Sequence, residues 1–505
     1  MNDGDVIGQL FMVDFSGPEP SAGIERLIAD AAVGGVILFD KNIISPGQTA
    51  FLTNALQRLA ATAGKPPLLV GADQEGGPVV RVRPTHFPSA MAFGAAGSED
   101  LVGLAAAVTG KELRAVGIHV NFSPVLDVNS NPANPVIGVR SYGEDPALVT
   151  RLGTRAVREM QSAGVLATAK HFPGHGDTSL DSHLALPVVP HPRSRLEAVE
   201  FAPFRAAIRA GVGGIMTAHV VYPVLDPDRP ATLSPAVIGA LRSEFGFQGL
   251  VVSDSMRMRA ITDRYGPGEA AVRAVLAGVD LLLACGPEEA QWEAIKALRA
   301  AVAAGRIPHS RIHGAARRVE AVKRRQGLYD RAYVSEGAVS RSVGLPEHRA
   351  LADRVAAAAA TLVRDPGGTL PLRPGPVVVQ GGLASQDTLE GLHAALKEDG
   401  LQATSGPERP RASEPLTGPI VLPLDGASFF TRVTRDRIEG LARAAQARGP
   451  TVVISAGSPY VLSAIPRECT CLAVYGGDSS SLRAASGVLI GRIRPQGWLP
   501  VTVGT

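Results

Sequence analysis

Eight short apolar runs, most separated from the next by an amphipathic stretch, occupy the first part of this 505-residue chain. They are QLFMVDF (9–15), VGGVILF (33–39), PLLVGAD (67–73), HVNFSPVLD (119–127), VLATAKHF (165–172), GIMTAHV (214–220), LVVSDS (250–255) and DLLLAC (280–285). Runs that are continuously apolar, rather than alternating, read as strands buried on both faces, which is the condition of a parallel sheet covered by helices. The covering helices are predicted at Ala22–Ala32, Asp100–Val116, Arg195–Ala210 and Glu269–Ala277. Eight such repeats over roughly 290 residues suit a closed (β/α)8 barrel, a TIM-like fold, better than an open doubly wound sheet, which stays possible.

Two more helical stretches follow, Pro287–Ala304 and Ser310–Gln326, and then residues 327–349 lose any sustained period. The pattern restarts with a helix over HRALADRVAAAAATLV (348–363) and strands at VVVQ (377–380), IVLP (420–423), VVISA (452–456) and CLAVY (471–475), separated by helical stretches near 388–397 and 434–448. The predicted organisation is therefore a barrel domain over 1–326, a linker over 327–349, and a smaller α/β sandwich domain over 350–505.

Composition narrows the class. Hydrophobic residues make up 45% and charged residues 19%, enough apolar surface for large cores. Fifty Lys plus Arg against 47 Asp plus Glu gives a net charge of +3, too weak for a nucleic-acid or anionic-membrane partner. No apolar run reaches the length of a membrane span, and the acidic start MNDGDVIGQLFMVDF is unlike an export signal, so a cytoplasmic location is expected. Cys285, Cys469 and Cys471 suit neither a disulfide framework nor a zinc spacing and read as small buried hydrophobes.

In a barrel of this kind, chemistry gathers where strands run into their C-terminal loops. Those positions hold Asp14, Asp40, the run Asp73-Gln74-Glu75-Gly76-Gly77, Asp127, Lys170 with His171, His219, Asp254 and the stretch from Asp280 to Cys285. Asp14 and Asp40 read most simply as loop carboxylates or helix caps. The ring as a whole does not. Its densest part, residues 170–183, packs three His, two Asp and a Lys around Pro173-Gly174, which forbids a helix. A metal site from His171, His175 and Asp177 would need that helix to align its imidazoles, so no metal is expected. A merely structural loop is hard to reconcile with such polarity. In the third reading, Asp181 and His183 lie two apart on an extended segment, share a side, and form a carboxylate–imidazole pair suited to general acid/base work. Asp254, at the end of the seventh run, would then be a nucleophile held on a rigid strand end, with a helix-capping Asp as the competing explanation.

At these residues the sequence resembles the β-N-acetylhexosaminidases of glycoside hydrolase family 3, of the bacterial cell-wall-recycling type. KHFPGHGDTSLDSHLALP (170–187) is the most specific piece, supported by DQEGGPVVR (73–81), RSYGEDP (140–146), MTAHVVYP (216–223), PATLS (230–234), VVSDSM (251–256) and the closing IGRIRPQGWLPVTV (490–503). The resemblance implies a retaining exo-β-N-acetylglucosaminidase with Asp254 as nucleophile and His183 with Asp181 as the acid/base dyad. It implies that Asp73, Arg81, Arg140, Lys170 and His171 hold the terminal sugar of a GlcNAc-terminated glycoside or muropeptide, and no cofactor is expected. Two positions depart from the family: Pro78 stands where an Arg is common, leaving Arg81 as the cation of that loop, and Ser255 follows the nucleophile position. Phosphorolysis by the same residues and a non-catalytic sugar-binding barrel remain open alternatives, with a metal-dependent hydrolase a distant one.

Overall fold

A computed structural model of the chain describes residues 3–406, 418–425 and 432–504. The first sheet has eight strands: β1 (Phe11–Val13), β2 (Gly35–Leu38), β3 (Leu69–Ala72), β4 (Val120–Asn121), β5 (Leu166–Phe172), β6 (Gly214–Thr217), β7 (Leu250–Ser253) and β8 (Leu282–Ala284). Every ladder between neighbours is parallel, β8 pairs back onto β1, and a bridge from Val252 to Leu281 joins β7 to β8, so the sheet closes into a barrel. The helices start where the residues dictate. Ser45-Pro46, Asp145-Pro146 and Ser234-Pro235 each place a capping oxygen on an amide two or three residues ahead and a proline in the first turn.

The barrel is filled rather than hollow. Met12, Ile37, Leu69, Phe122, Leu166, Met216, Leu250 and Leu283 pack inside it, and Val319, Val322 and Leu328 plug its lower end. Gly71 makes this packing possible, since a Cβ there would sit 2.9 Å from the Phe122 ring. Lys323, on the plugging helix His309–Arg325, is fully buried and donates to Gln9 Oε1 at 2.6 Å. Burial pushes its ammonium down to about 7. With its interior filled and its lower end plugged, the barrel axis is open only at the upper end, where the strands terminate.

The fourth predicted strand, 119–127, is shorter than its apolar run. Pro124 removes a ladder donor, and beyond Asn121 only a bridge from Val125 to Lys170 persists. The interval 327–349 is not wholly irregular: it holds a 3-10 turn, Glu336–Arg341, and the start of the helix Pro346–Ala359.

The second sheet comprises β9 (Thr361–Arg364), β10 (Pro376–Gln380), β11 (Gln402–Gly406), β12 (Ile420–Leu424), β13 (Thr451–Ser455) and β14 (Thr470–Ala473), in the order β9-β14-β13-β12-β10-β11. All its ladders are parallel except β9 on β14. The helix expected over 348–363 therefore stops at Ala359, and its last residues turn into an antiparallel edge strand. The two units meet beside the barrel mouth, where Ser89 Oγ donates to Tyr475 O at 2.8 Å, Asn129 Nδ2 to the Tyr460 hydroxyl at 3.1 Å, and the Glu144 amide to Pro500 O at 3.0 Å. All three cysteines are free thiols. Among the described residues, no helix is long and apolar enough to cross a membrane.

Candidate active site

The loop after β3 is folded around one side chain. Gln74 Oε1 accepts the amides of Arg81 and Val82, its Nε2 donates to Val82 O, and its own amide donates to Asn121 Oδ1. The excursion this closes turns at Gly76 and Gly77, whose φ values of +94° and +54° are left-handed. It carries Asp73 and Glu75 to the barrel mouth and returns with Arg81.

There they meet Lys170, at the end of β5. The buried ammonium donates to Asp73 Oδ1 at 2.7 Å and pairs with Glu75 Oε1 at 2.6 Å. Arg140 closes the cluster, its Nε and Nη2 each 2.8 Å from a Glu75 oxygen. Burial alone would raise the Glu75 pKa, but Arg140 and Lys170 reverse this and hold the carboxyl far below its ordinary range. Burial likewise opposes the charge on Lys170, and Asp73 and Glu75 overcome it, so its pKa is raised. The result is a charge-balanced, desolvated floor.

Next to it, Asp127 organises the turn that follows β5. Its Oδ1 accepts the amides of His171 and His175, and its Oδ2 lies 2.7 Å from His171 Nδ1. His175 then bridges Thr178 Oγ1 at 2.8 Å and Ser182 Oγ at 3.0 Å. Burial, with His171 adding to it, pushes His175 down to about 4, so the ring is neutral near neutral pH. His171, His175 and Asp177 each serve a different protein partner, Asp177 taking Ser130 and His191.

Asp181 and His183 do pair, though not on an extended segment. Residues 182–184 form a turn in which Asp181 Oδ1 accepts both the His183 amide and its ring Nδ1, each at 2.8 Å. This is an Asx turn, in which a short carboxylate reaches the backbone two residues on. The His183 side chain is 61% exposed at the lip of the cleft.

Asp254 follows β7 and does not cap a helix, because the next helix, Arg259–Thr262, begins after Met258. Its Oδ1 accepts the Ser255 amide at 2.7 Å. His219, bonded to Thr232 Oγ1 and to Ser255 O, stands behind it. Burial would raise the Asp254 pKa, but His171, His219, the Ser255 amide and Lys170 together lower it.

One cleft of about 800 Å³ is lined by Asp73, Glu75, Arg81, Arg140, Lys170, His171, His175, His183 and Asp254. Of the expected site residues, only Asp181 does not line it, standing behind His183. Arg81 lines it with Nη1 committed to Asp40 at 2.6 Å and its buried Nε without a partner. Asp40 thus serves as an ion-pair partner to Arg81 and Arg83, and Asp14 is a buried acceptor for Gly286 and Gln291 and an ion-pair partner of Lys41; neither is a helix cap. The sequence placed Gln74, Glu75 and Asp127 in the strand-end ring and weighed His175 only as a metal ligand, without giving any of them a part in the sugar site, and it did not single out Ser182. The nearest signal was Glu75 itself, two positions from Asp73 at the same strand end. A second cavity, about 690 Å³, shares Val79, Val136 and Arg140 with the cleft and runs between the barrel and the second sheet.

Residues 4–322 match the glycosyl hydrolase family 3 N terminal domain. The chain is 41% identical to a solved glycoside hydrolase family 3 β-N-acetylglucosaminidase from Paenibacillus sp. str. FPU-7, covering 100% of this chain and 99% of that one with a TM-score of 0.91. It is 36% identical to beta-hexosaminidase A of Pseudoalteromonas piscicida over 74% of this chain and 69% of that protein. It is also 31% identical to a beta-N-acetylglucosaminidase/beta-glucosidase of Cellulomonas fimi over 99% of this chain and 94% of that protein.

Proposed function

This chain belongs to glycoside hydrolase family 3, and from that premise we propose that it is a retaining exo-β-N-acetylglucosaminidase acting on GlcNAc-terminated cell-wall or chitin-type fragments. The observation that carries the reading is the placement of His183 and Asp254 on one cleft above the Lys170–Asp73–Glu75–Arg140 floor. The relatives from Paenibacillus and Cellulomonas fimi, both named as β-N-acetylglucosaminidases, support the sugar.

In the first step the Asp254 carboxylate attacks the anomeric carbon. The C–O bond to the leaving group breaks, and His183 donates a proton from Nε2 to the departing oxygen. Asp181 holds Nδ1 of that ring, so Nε2 is the nitrogen left to face the substrate. In the second step Nε2 accepts a proton from water, the water oxygen bonds to the anomeric carbon, and Asp254 departs. Two inversions leave the β configuration intact. The lowered pKa of Asp254 keeps it anionic through the neutral range, as a nucleophile requires.

The floor positions the sugar. Asp73 Oδ2, left open by Lys170, accepts from a hydroxyl, while Lys170, Arg81 and Arg140 donate. His171, fixed by Asp127, presents its other ring nitrogen. Because Lys170, Asp73, Glu75 and Arg140 neutralise one another before substrate arrives, little reorganisation is needed on binding.

The test compares aryl β-N-acetylglucosaminide with aryl β-glucoside, with and without phosphate, following the anomer released by NMR. β-GlcNAc as first product, at a rate independent of phosphate, is the expected result. A sugar 1-phosphate product would assign the same residues to phosphorolysis, and no turnover of either glycoside would leave a binding protein.

A further inference from the structure

On the lower face of the barrel, opposite the cleft, the chain leading to the second sheet packs against the helix Pro46–Thr62. Asn54 pins it there. The Val334 amide donates to Asn54 Oδ1 at 2.9 Å, and Asn54 Nδ2 donates to Val334 O and to Glu336 Oε1. Under this crossing lies a cavity of about 330 Å³ whose polar wall is Arg114, His119, Arg331, Tyr333, Ser335 and Ser342, with no acidic residue in its lining.

Its donors are only partly spent. Arg114 Nη2 donates to Gln326 O at 2.8 Å, but its Nη1 is buried without a partner. Neither Arg114 nor Arg331 forms an ion pair among the described residues, yet the two lie close enough that Arg331, after burial, helps lower the Arg114 pKa. His119 is 98% buried by its 2% exposure, and its Nδ1 accepts the Val70 amide at 3.2 Å. That bond assigns the proton to Nε2, which has no acceptor among the described residues. Two guanidinium groups without an ion-pair partner and an imidazole N–H without a protein acceptor thus surround one void, an arrangement that an anion would complete.

We infer that this cavity binds a phosphomonoester. A phosphate offers three charged oxygens to donors arriving from different elements, which suits the forked guanidinium groups better than a carboxylate with two. The volume exceeds that of the phosphate alone and leaves room for a small organic group toward Tyr333, which is 50% exposed at the rim. Arg114 and His119 belong to the barrel, whereas Arg331 and Ser335 belong to the chain crossing it. The ligand therefore ties the inter-domain segment to the barrel without touching the cleft.

The test is isothermal titration of the full chain with inorganic phosphate and with glycerol 3-phosphate, in excess GlcNAc to occupy the cleft. One equivalent is expected to bind, at least ten-fold more weakly in Arg331→Ala and in Arg114→Gln. Turnover of the aryl glycoside is expected to stay unchanged in Arg331→Ala, whose side chain is exposed and replaceable without disturbing the fold. Each ligand is expected to raise the melting temperature of the wild type and not of Arg331→Ala. The inference is overturned if neither phosphate compound binds, if Arg331→Ala binds both as well as the wild type, or if acetate binds equally. These outcomes do not depend on whether the cleft hydrolyses GlcNAc glycosides.

Discussion

Two lysines are buried at opposite ends of one barrel, and they are held in opposite ways. Lys170, at the upper end, faces two carboxylates at 2.7 and 2.6 Å, and its pKa is raised. Lys323, at the lower end, faces a neutral amide oxygen at 2.6 Å, and burial takes it down to about 7. The same side chain in the same fold is locked into charge on the floor of the cleft, and can shed its proton in the plug. The proposed function gives the charge at the upper end a use, whereas the plug merely tolerates it.

Substitutions can break or sharpen that contrast. The largest effect is expected at Asp254, where Asp254→Ala should lower turnover of every glycoside by about 10⁴-fold or more while leaving the melting temperature within a few degrees. Steady-state kinetics on an aryl and a natural substrate check it. Lys170→Met strands Asp73 beside the buried Glu75 carboxylate, and is expected to cost about 3–5 kcal/mol of stability together with about 10²-fold or more of activity. Urea unfolding in parallel with kinetics would expose a fold that does not need this charge. His183→Ala is expected to reduce hydrolysis of natural disaccharides by roughly 10²–10⁴-fold. It should spare aryl glycosides, whose leaving groups need no proton, and an equal loss on both would remove the general-acid role.

The smallest effect belongs to the lower end. Lys323→Met is expected to leave kinetics unchanged and to alter only how stability follows pH. Lys323 has a depressed folded pKa, so the unfolded chain binds more protons between about 7 and 10.5, and wild-type stability gains from this group as pH rises through that window. The variant lacks that gain, so its advantage over the wild type is greatest below about pH 7 and shrinks by a few kcal/mol towards pH 10. A constant difference across the window would mean that Lys323 stays charged when buried.

The barrel was legible in the sequence because strands covered on both faces must be apolar without interruption, which leaves a mark that polar edge strands do not. Gln402–Gly406 is a half-exposed polar edge, and nothing in QATSG separates it from a loop. Thr361–Arg364 follows the alanine run with no breaker between them, so the helical pattern ran through it. In the cleft, the residues that gather were visible as ionisable groups at strand ends. What they do to one another was not, because Glu75 acquires its importance from Arg140 and Lys170, 65 and 95 positions away along the chain. Asp181 and His183 were paired for the wrong reason: strand alternation was assumed, and a turn makes the bond.

That turn has its own implication. Asp181 grips both the ring and the backbone of His183 within three residues, and neither bond involves the barrel wall. The pair is preassembled, like a cartridge carried on its own clip. Any excursion of the segment would swing imidazole and carboxylate together, so the acid/base role proposed for them would survive an opening of the cleft.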